Sequence, residues 1–121
     1  MSRASASTGG PLSARTAESV AEAMFALSAP SRVRILSHLR ERPHTVVELM
    51  AAIDMEQSAV SHQLRILREH RLVVAERKGR NRVYALHDEH VASLLDEAIN
   101  HVAHLSSPTE RAPKRRRRSA G

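Results

Sequence analysis

Apolar residues recur at helical spacing in five separate segments of this chain. The five predicted helices cover residues 14–27, 30–39, 45–53, 58–70 and 88–104. After the fourth helix the pattern changes to the alternation of a strand, over residues 72–77 and again over 82–86. The loop between these strands contains Gly79 and Asn81, which tolerate positive φ, so a β-hairpin is expected there. The pattern therefore predicts a mainly α fold with one β-hairpin.

The third and fourth helices are short and are joined by a tight connection at residues 54–56, which is typical of a helix-turn-helix. The exposed face of the second of these helices carries side chains suited to base edges and phosphates. They are Gln57, Ser58, Ser61, His62 and Arg65. The hairpin that follows is basic and carries Arg77, Lys78, Arg80 and Arg82. A basic hairpin directly after a recognition helix is a wing, so the chain is predicted to bind double-stranded operator DNA. A packing helix in a winged domain that does not bind DNA is the alternative.

Aliphatic side chains are expected to build the core, because the chain has one Phe, one Tyr and no Trp. The second and fourth helices should bury Ile35, Leu36, Leu39, Val60, Leu64 and Leu67. Arg32 and Arg34 are expected on the opposite, outer side of the second helix. Three histidines are expected at the surface or at helix ends: His38, His44 and His70.

The length of 121 residues predicts a single folded domain, expected over residues 14–105. Residues 1–13 and the basic residues 106–121 are expected to be disordered tails. The net charge of +6 is concentrated in these ends, because residues 14–105 hold twelve Lys and Arg against twelve Asp and Glu. There is no cysteine and no apolar run long enough to span a membrane. The protein is therefore expected to be cytoplasmic, with no disulfides and no membrane partner.

The last predicted helix combines an apolar stripe with metal-ligating side chains. Asp88 and His90 stand at its start, and His101 and His104 lie one turn apart near its end. Carboxylate and neutral imidazole are ligands for zinc, cobalt and nickel. His87 is expected to be a bystander beside this set. A histidine-rich polar face on a surface helix is the alternative interpretation.

The spacing of these four residues matters more than their identity. Eleven residues separate His90 from His101, a rise of roughly 16 Å with only ~20° of net rotation. The two pairs cannot share one ion within a chain, since ligand bonds are only ~2 Å long. If two copies of the helix pack antiparallel about a two-fold axis, the Asp88/His90 pair of each copy faces the His101/His104 pair of the other. The sequence therefore suggests two four-ligand sites that exist only between subunits.

With its elements in this order, the chain resembles the ArsR/SmtB family of winged-helix metal-sensing repressors. The resemblance rests on residues 27–39 (LSAPSRVRILSHL), 55–73 (MEQSAVSHQLRILREHRLV) and 76–86 (ERKGRNRVYAL), together with the spacing of Asp88, His90, His101 and His104. It implies a winged helix-turn-helix that dimerises through its N- and C-terminal helices. It also implies an apo dimer that binds operator DNA and releases it when metal occupies the sites between the C-terminal helices. The resemblance further implies that His101 hydrogen-bonds a backbone carbonyl at the end of the recognition helix.

Two departures from the family pattern narrow the choice of metal. The family's other common site uses cysteines near the helix-turn-helix, and this chain has none. The chain also resembles the family's mycobacterial nickel/cobalt sensor, and that resemblance implies additional N-terminal ligands that include a His. The first His of this chain is His38, so its N-terminal tail offers no imidazole. Three His and one Asp favour tetrahedral Zn²⁺, with Co²⁺ and Ni²⁺ left open.

The sequence leaves two alternatives to metal-responsive repression. One is a constitutive or partner-controlled DNA-binding regulator whose metal site is structural or vestigial. The other is a metal-dependent hydrolase, which is disfavoured because four protein ligands leave no open position for a reactive water. The protein is therefore not expected to be an enzyme.

Overall fold

The computed structural model describes residues 10–105. The elements in chain order are α1 (Ala14–Ala26), α2 (Pro30–Glu41), β1 (His44–Thr45), α3 (Val46–Ile53), α4 (Gln57–Glu69), β2 (Val73–Lys78), β3 (Asn81–Leu86) and α5 (Glu89–Leu105). The five helices and the hairpin predicted from the sequence are confirmed. The predictions for residues 1–9 and 106–121 lie outside the described residues.

α3 begins with a capping box. The Thr45 side chain accepts a hydrogen bond from the Glu48 backbone N–H (3.2 Å), and the Glu48 carboxylate accepts one from the Thr45 backbone N–H (2.9 Å). The second of these bonds is the main cause that lowers the pKa of Glu48. α3 ends at Ile53, and Asp54 then adopts the left-handed conformation with φ 55°. This sharp bend leads the chain into α4 and creates the helix-turn-helix.

The far end of α4 is closed by a Schellman motif. The Leu72 N–H donates to the Leu67 carbonyl and the Arg71 N–H donates to the Arg68 carbonyl, both at 2.9 Å. Arg71 has φ 58°, a conformation for which glycine is the usual residue. Leu72 is buried at this corner, so α4 ends against the core.

The sheet has the strand order β1-β3-β2 and is antiparallel. β1 was not predicted, because two residues are too few to show an alternating pattern. In the hairpin Lys78 pairs with Asn81, so the strands extend further than predicted and the loop consists of Gly79 and Arg80 alone. Gly79 has φ 64°, and a glycine at the first loop position is typical of II′ hairpin turns.

The predicted core residues are confirmed. Side chains from α2, α3, α4 and β2 form one cluster whose largest fully buried members are Ile35, Leu36, Leu49, Ile53, Val60, Leu64, Leu67 and Val73. Tyr84 of β3 and the first half of α5 complete it through Val91 and Leu95. This cluster holds α4 and the hairpin at a fixed angle to each other.

Two predictions of exposed polar residues are wrong. Arg32 is only 6% exposed, because its guanidinium turns inward to bond groups on α1 and α4. His44 is also buried, because β1 places it in the sheet opposite Tyr84, and its Nδ1 lies 2.7 Å from the Arg42 carbonyl oxygen. Arg34 lies outside as expected, and His70 caps α4.

The two terminal helices keep much of their apolar surface exposed. On α1 only Ala26 is buried, while the exposed large apolar residues are Val20, Met24 and Phe25. On α5 Val91, Ala92 and Leu95 are buried, and the exposed ones are Leu94, Ile99, Val102 and Leu105. None of the helices formed by residues 10–105 combines the length and hydropathy needed to cross a bilayer.

Candidate DNA-binding surface and metal-binding helix

The side chains predicted to contact DNA lie on the exposed face of α4. Gln57, Ser58, Ser61, His62 and Arg65 are all exposed within its first three turns. Their opposite face holds Val60, Leu64 and Leu67 in the core, so the polar face points outward. The helix is therefore anchored by its apolar side and presents hydrogen-bonding groups and a cation outward.

The hairpin concentrates positive charge on one projection. Arg77, Lys78, Arg80 and Arg82 are all exposed. Arg77 and Arg82 face each other across the two strands, an arrangement of like charges that destabilises a hairpin. The Arg82 guanidinium lies over the Tyr84 ring at 5.7 Å. Such a charge arrangement suits contact with a polyanion such as the DNA backbone.

A groove of about 580 Å³ separates α4 from β3 and brings part of the predicted set together. It is lined by Ser61, Leu64, Arg65, Arg68, Glu69, Arg82 and Tyr84. Arg68 was not among the predicted contact residues. Its spacing of seven from Ser61 and three from Arg65 places all three on one helix face, and this signal could have identified it.

At the start of α5, the Asp88 carboxylate is held by two neighbours. One oxygen accepts a hydrogen bond from the His90 backbone N–H (2.9 Å), and the other lies 3.0 Å from Nδ1 of His87. The bond to His87 is the main cause that lowers the pKa of Asp88. The His90 ring, which is 96% exposed, lies with Nδ1 3.5 Å from the same carboxylate. Asp88 and His90 thus already form a pair, and His87, expected to be a bystander, orients it.

The second predicted pair lies at the other end of the same helix. His101 and His104 are both exposed, in the last turns of α5. Within residues 10–105, no three His, Asp or Glu side chains lie close enough together to hold a metal ion. The four predicted ligands are therefore arranged in one chain as two separate pairs.

The first half of α5 is tied to the rest of the fold by a bidentate ion pair. Nε and one terminal nitrogen of Arg40, on α2, donate to the two oxygens of Asp96 at 3.0 and 2.8 Å. These bonds lower the pKa of Asp96 and raise the pKa of Arg40. Every described residue from Glu97 to Leu105 is exposed. The pair therefore marks where α5 leaves the body of the protein.

A short run of hydrogen bonds connects the end of α4 to Asp88. The Leu72 N–H closes the end of α4 by donating to Leu67, and the Leu72 carbonyl accepts from the His87 N–H at 2.9 Å. The His87 ring then bonds the Asp88 carboxylate. The end of α4 and the start of α5 are thus joined within one subunit.

This fold, with its polar helix face and basic hairpin, defines a winged helix-turn-helix DNA-binding regulator. The family described as bacterial regulatory protein, arsR family, matches residues 29–74. The chain is also 57% identical, over 95 residues, to the HTH-type transcriptional regulator NmtR of Mycobacterium tuberculosis (strain ATCC 25618 / H37Rv), covering 78% of this chain and 79% of that one. The chain therefore belongs to the arsR family of bacterial regulatory proteins.

Solved structures agree with this assignment. The solution structure of apo-NmtR matches with a TM-score of 0.68 and 52% identity, covering 88% of this chain and 90% of that one. The homodimeric winged helix-turn-helix DNA-binding domain of Mb0332 from Mycobacterium bovis matches with a TM-score of 0.67 and 30% identity, covering 78% and 90%. The winged helix-turn-helix predicted from the sequence is confirmed.

Proposed function

We propose that the protein is a metal-responsive transcriptional repressor that binds operator DNA as a metal-free homodimer. Metal would be held between subunits by Asp88 and His90 of one chain and His101 and His104 of the other. The observation that carries the proposal is the arrangement of α5, with one ligand pair at each end and an exposed apolar face between them. A second, antiparallel copy of the helix would complete both sites.

The apolar surfaces of the terminal helices support a second copy as the partner. A groove of about 520 Å³ runs between α5, α2 and the end of α1, and its lining is almost entirely apolar. It is formed by Leu27, Val33, Leu95, Ala98, Ile99, Val102 and Ala103. The Mb0332 domain, of similar fold, is homodimeric. Pairing of α5 with α5 would remove this surface from water and bring the two ligand pairs together.

The chemistry of the ligand set fits a divalent transition metal. Three imidazoles and one carboxylate suit tetrahedral zinc, and they also accept cobalt or nickel. An aspartate is ionised at neutral pH, as a ligand must be, and the hydrogen bond to His87 lowers the pKa of Asp88 further. Asp88 is followed on α5 by Glu89, Asp96 and Glu97, and α5 carries no Lys or Arg. When bound, the ion supplies positive charge at this acidic helix and connects the two subunits.

Regulation then follows from linkage between two arrangements of the dimer. Operator affinity falls only if the arrangement unable to bind DNA holds metal more tightly than the competent one. The two recognition helices must reach half-sites one DNA turn apart, roughly 34 Å. Because Leu72 and His87 join the end of α4 to the start of α5, a change in the angle between the two α5 helices would alter the spacing of the two α4 helices.

A titration of the chelated protein tests the proposal. A DNA duplex is first selected from a random library with the metal-free protein, and its affinity is then measured with added Zn²⁺, Co²⁺ or Ni²⁺. We expect at least one metal to lower that affinity by tenfold or more, whereas Mg²⁺ does not. Metal that binds without changing DNA affinity would support the constitutive or partner-controlled regulator instead.

The coordination geometry is tested on the cobalt-substituted protein. Intense visible absorption bands are expected from a tetrahedral site of three imidazoles and one carboxylate. Weak bands would indicate an octahedral site with further ligands and would favour nickel or cobalt over zinc. A control with His104→Gln should lose the bands, because His104 is proposed as a ligand.

A further inference from the structure

The buried side chain of Arg32 joins the end of α1 to the recognition helix. Its Nε donates to the Ala26 carbonyl (2.7 Å) and one terminal nitrogen donates to the Phe25 carbonyl (3.2 Å). The other terminal nitrogen donates to the side-chain oxygen of Gln63 on α4 (2.8 Å). One guanidinium thus bonds two helices that are far apart in sequence.

The charge of Arg32 is balanced without an acidic partner. No carboxylate within the described residues 10–105 forms a salt bridge with it. Its partners on α1 are carbonyls of the last turn, where the helix dipole is negative, and the guanidinium also lies 5.5 Å from the centre of the Phe25 ring. The position of the guanidinium is therefore set by α1, and Gln63 is held relative to that helix.

Gln63 is well placed to set the rotation of α4 about its own axis. It is half-buried, next to His62 and two residues from both Ser61 and Arg65, which are exposed. A rotation of only about 20° moves a side-chain tip at a radius of ~6 Å by roughly 2 Å. Base contacts require donor and acceptor distances of about 2.7–3.2 Å. Small rotations of α4 therefore change which bases its polar face can read.

We propose that Arg32 and Gln63 are positioning residues for sequence-specific DNA recognition. Arg32 fixes the rotation of α4 from the end of α1, the helix whose exposed face carries Phe25. Phe25 is 58% exposed, and its ring also lies 6.1 Å from the ring of His70 at the end of α4. The polar face of α4 is thereby aligned with α1, a helix of the proposed dimer interface. This inference rests on the proposed DNA binding and does not depend on metal.

The test compares specific with non-specific DNA binding in the metal-free protein. Arg32→Lys keeps the charge but loses the planar fork, and Gln63→Leu removes the acceptor at similar volume. Each is measured with the duplex selected by the wild type and with a scrambled duplex of the same composition. We expect affinity for the selected duplex to fall by tenfold or more and affinity for the scrambled duplex to change less than twofold. Circular dichroism and sedimentation should match the wild type.

Arg34→Lys is the matched control. Arg34 lies on the same helix and also donates to a carbonyl at a helix end, that of Ile53 at 3.2 Å, but among residues 10–105 it forms no hydrogen bond with α4. We expect it to leave the ratio of the two affinities unchanged. Gln63→Glu retains an acceptor for Arg32 and should keep the ratio, although its added negative charge weakens binding to both duplexes.

A double variant separates a shared bond from two independent effects. If the bond is the cause, Arg32→Lys with Gln63→Leu loses no more specificity than either change alone. Additive losses, equal losses on both duplexes, or wild-type binding by both single variants would overturn the proposal. Failure of the wild type to select any duplex would instead overturn the proposed DNA-binding function.

Discussion

The body of the molecule and its two terminal helices differ in how completely they bury their apolar residues. From α2 to β3 the helices and strands enclose a core in which Ile35, Leu36 and Leu64 are almost fully buried. On α1 and the second half of α5 the apolar faces stay open, and Val102 is 61% exposed. The body buries its apolar side chains within one chain, whereas the terminal helices need a partner to bury theirs.

The same division separates the proposed functions. The polar face of α4 and the basic hairpin belong to the closed body, whose core contains Leu64 of α4 and Val73 of β2. Both candidate ligand pairs belong to α5, at its attached start and at its exposed end. A regulator organised in this way reads DNA with the part that is already complete and senses its signal with the part that a second subunit completes.

The largest expected effect follows from breaking the closed body. Leu36→Ala removes a fully buried side chain of α2 and should lower the free energy of unfolding by about 2–5 kcal/mol. Val47→Ala is the control, because Val47 is 72% exposed, and it should change stability by less than about 0.5 kcal/mol. Urea unfolding at one protein concentration measures both. Similar losses in the two variants would contradict the closed core.

A charge on the exposed apolar face of α5 should weaken dimer association without affecting the folding of the subunit. Ile99→Asp places a carboxylate in the apolar groove of α5 and should raise the dimer dissociation constant by about 100-fold, or ~2.7 kcal/mol. Asn100→Asp adds the same charge at the neighbouring exposed position and should have a much smaller effect. Sedimentation equilibrium gives both constants. An unchanged constant for Ile99→Asp would place the interface elsewhere.

Removing one proposed ligand at the exposed end of α5 should uncouple the metal signal from DNA binding. His101→Gln should abolish the effect of zinc on affinity for the selected duplex, a coupling of about 1–3 kcal/mol in typical allosteric proteins. Its metal-free DNA affinity should stay within twofold of the wild type. Asn100→Ala, next to it on the helix, should keep the response. A wild-type zinc response in His101→Gln would refute the role of this residue.

The sequence predicted the body better than it predicted single polar side chains. Hydrophobic spacing located the helices and core residues such as Ile35 and Leu64, since burial of an apolar stripe is a property of each element alone. It could not predict that Arg32 turns inward, because the partners of Arg32 are backbone carbonyls and an amide with no complementary charge. β1 was missed for a similar reason, as its two residues pair with Tyr84 and Val83 far along the chain.

The candidate site shows the same limit. The spacing of Asp88, His90, His101 and His104 predicted two pairs that one chain cannot join, and the structure places them at opposite ends of α5. The role of His87 depends on a bond to its neighbour that no spacing rule indicates. Arg68 shares a helix face with Ser61 and Arg65, but only the structure shows that it lines the groove between α4 and β3. Contacts between elements therefore had to come from the folded chain.

A smaller effect is expected where the body carries backbone strain. Arg71 has φ 58° at the end of α4, and a side chain in this conformation is disfavoured by roughly 1 kcal/mol relative to glycine. Arg71→Gly should therefore raise the free energy of unfolding by about 0.5–1 kcal/mol. Gly substitution at Arg68, inside α4, should lower it by a similar amount. Thermal unfolding of both variants checks the opposite signs.

The smallest effect concerns the ion pair that ties the two regions together. Arg40 lowers the pKa of Asp96, so the folded state favours the ionised carboxylate. The pair therefore contributes stability at neutral pH, and this contribution begins to fall near the unfolded pKa of about 3.9 and is lost as the pH drops through the lowered value. Because both side chains are 45% exposed, the contribution is modest and screened by salt.

Asp96→Asn tests this tie directly. Its stability deficit relative to the wild type should be present at pH 7 and low salt, shrink at high salt, and close as the pH falls below about 4. Glu97→Gln removes the next carboxylate along α5, which forms no salt bridge among the described residues, and should show no such pH dependence. A deficit that persists in acid would mean that Asp96 acts through packing. In that case Asp96 would attach α5 to the body through packing, as the buried side chains of Val91 and Leu95 do.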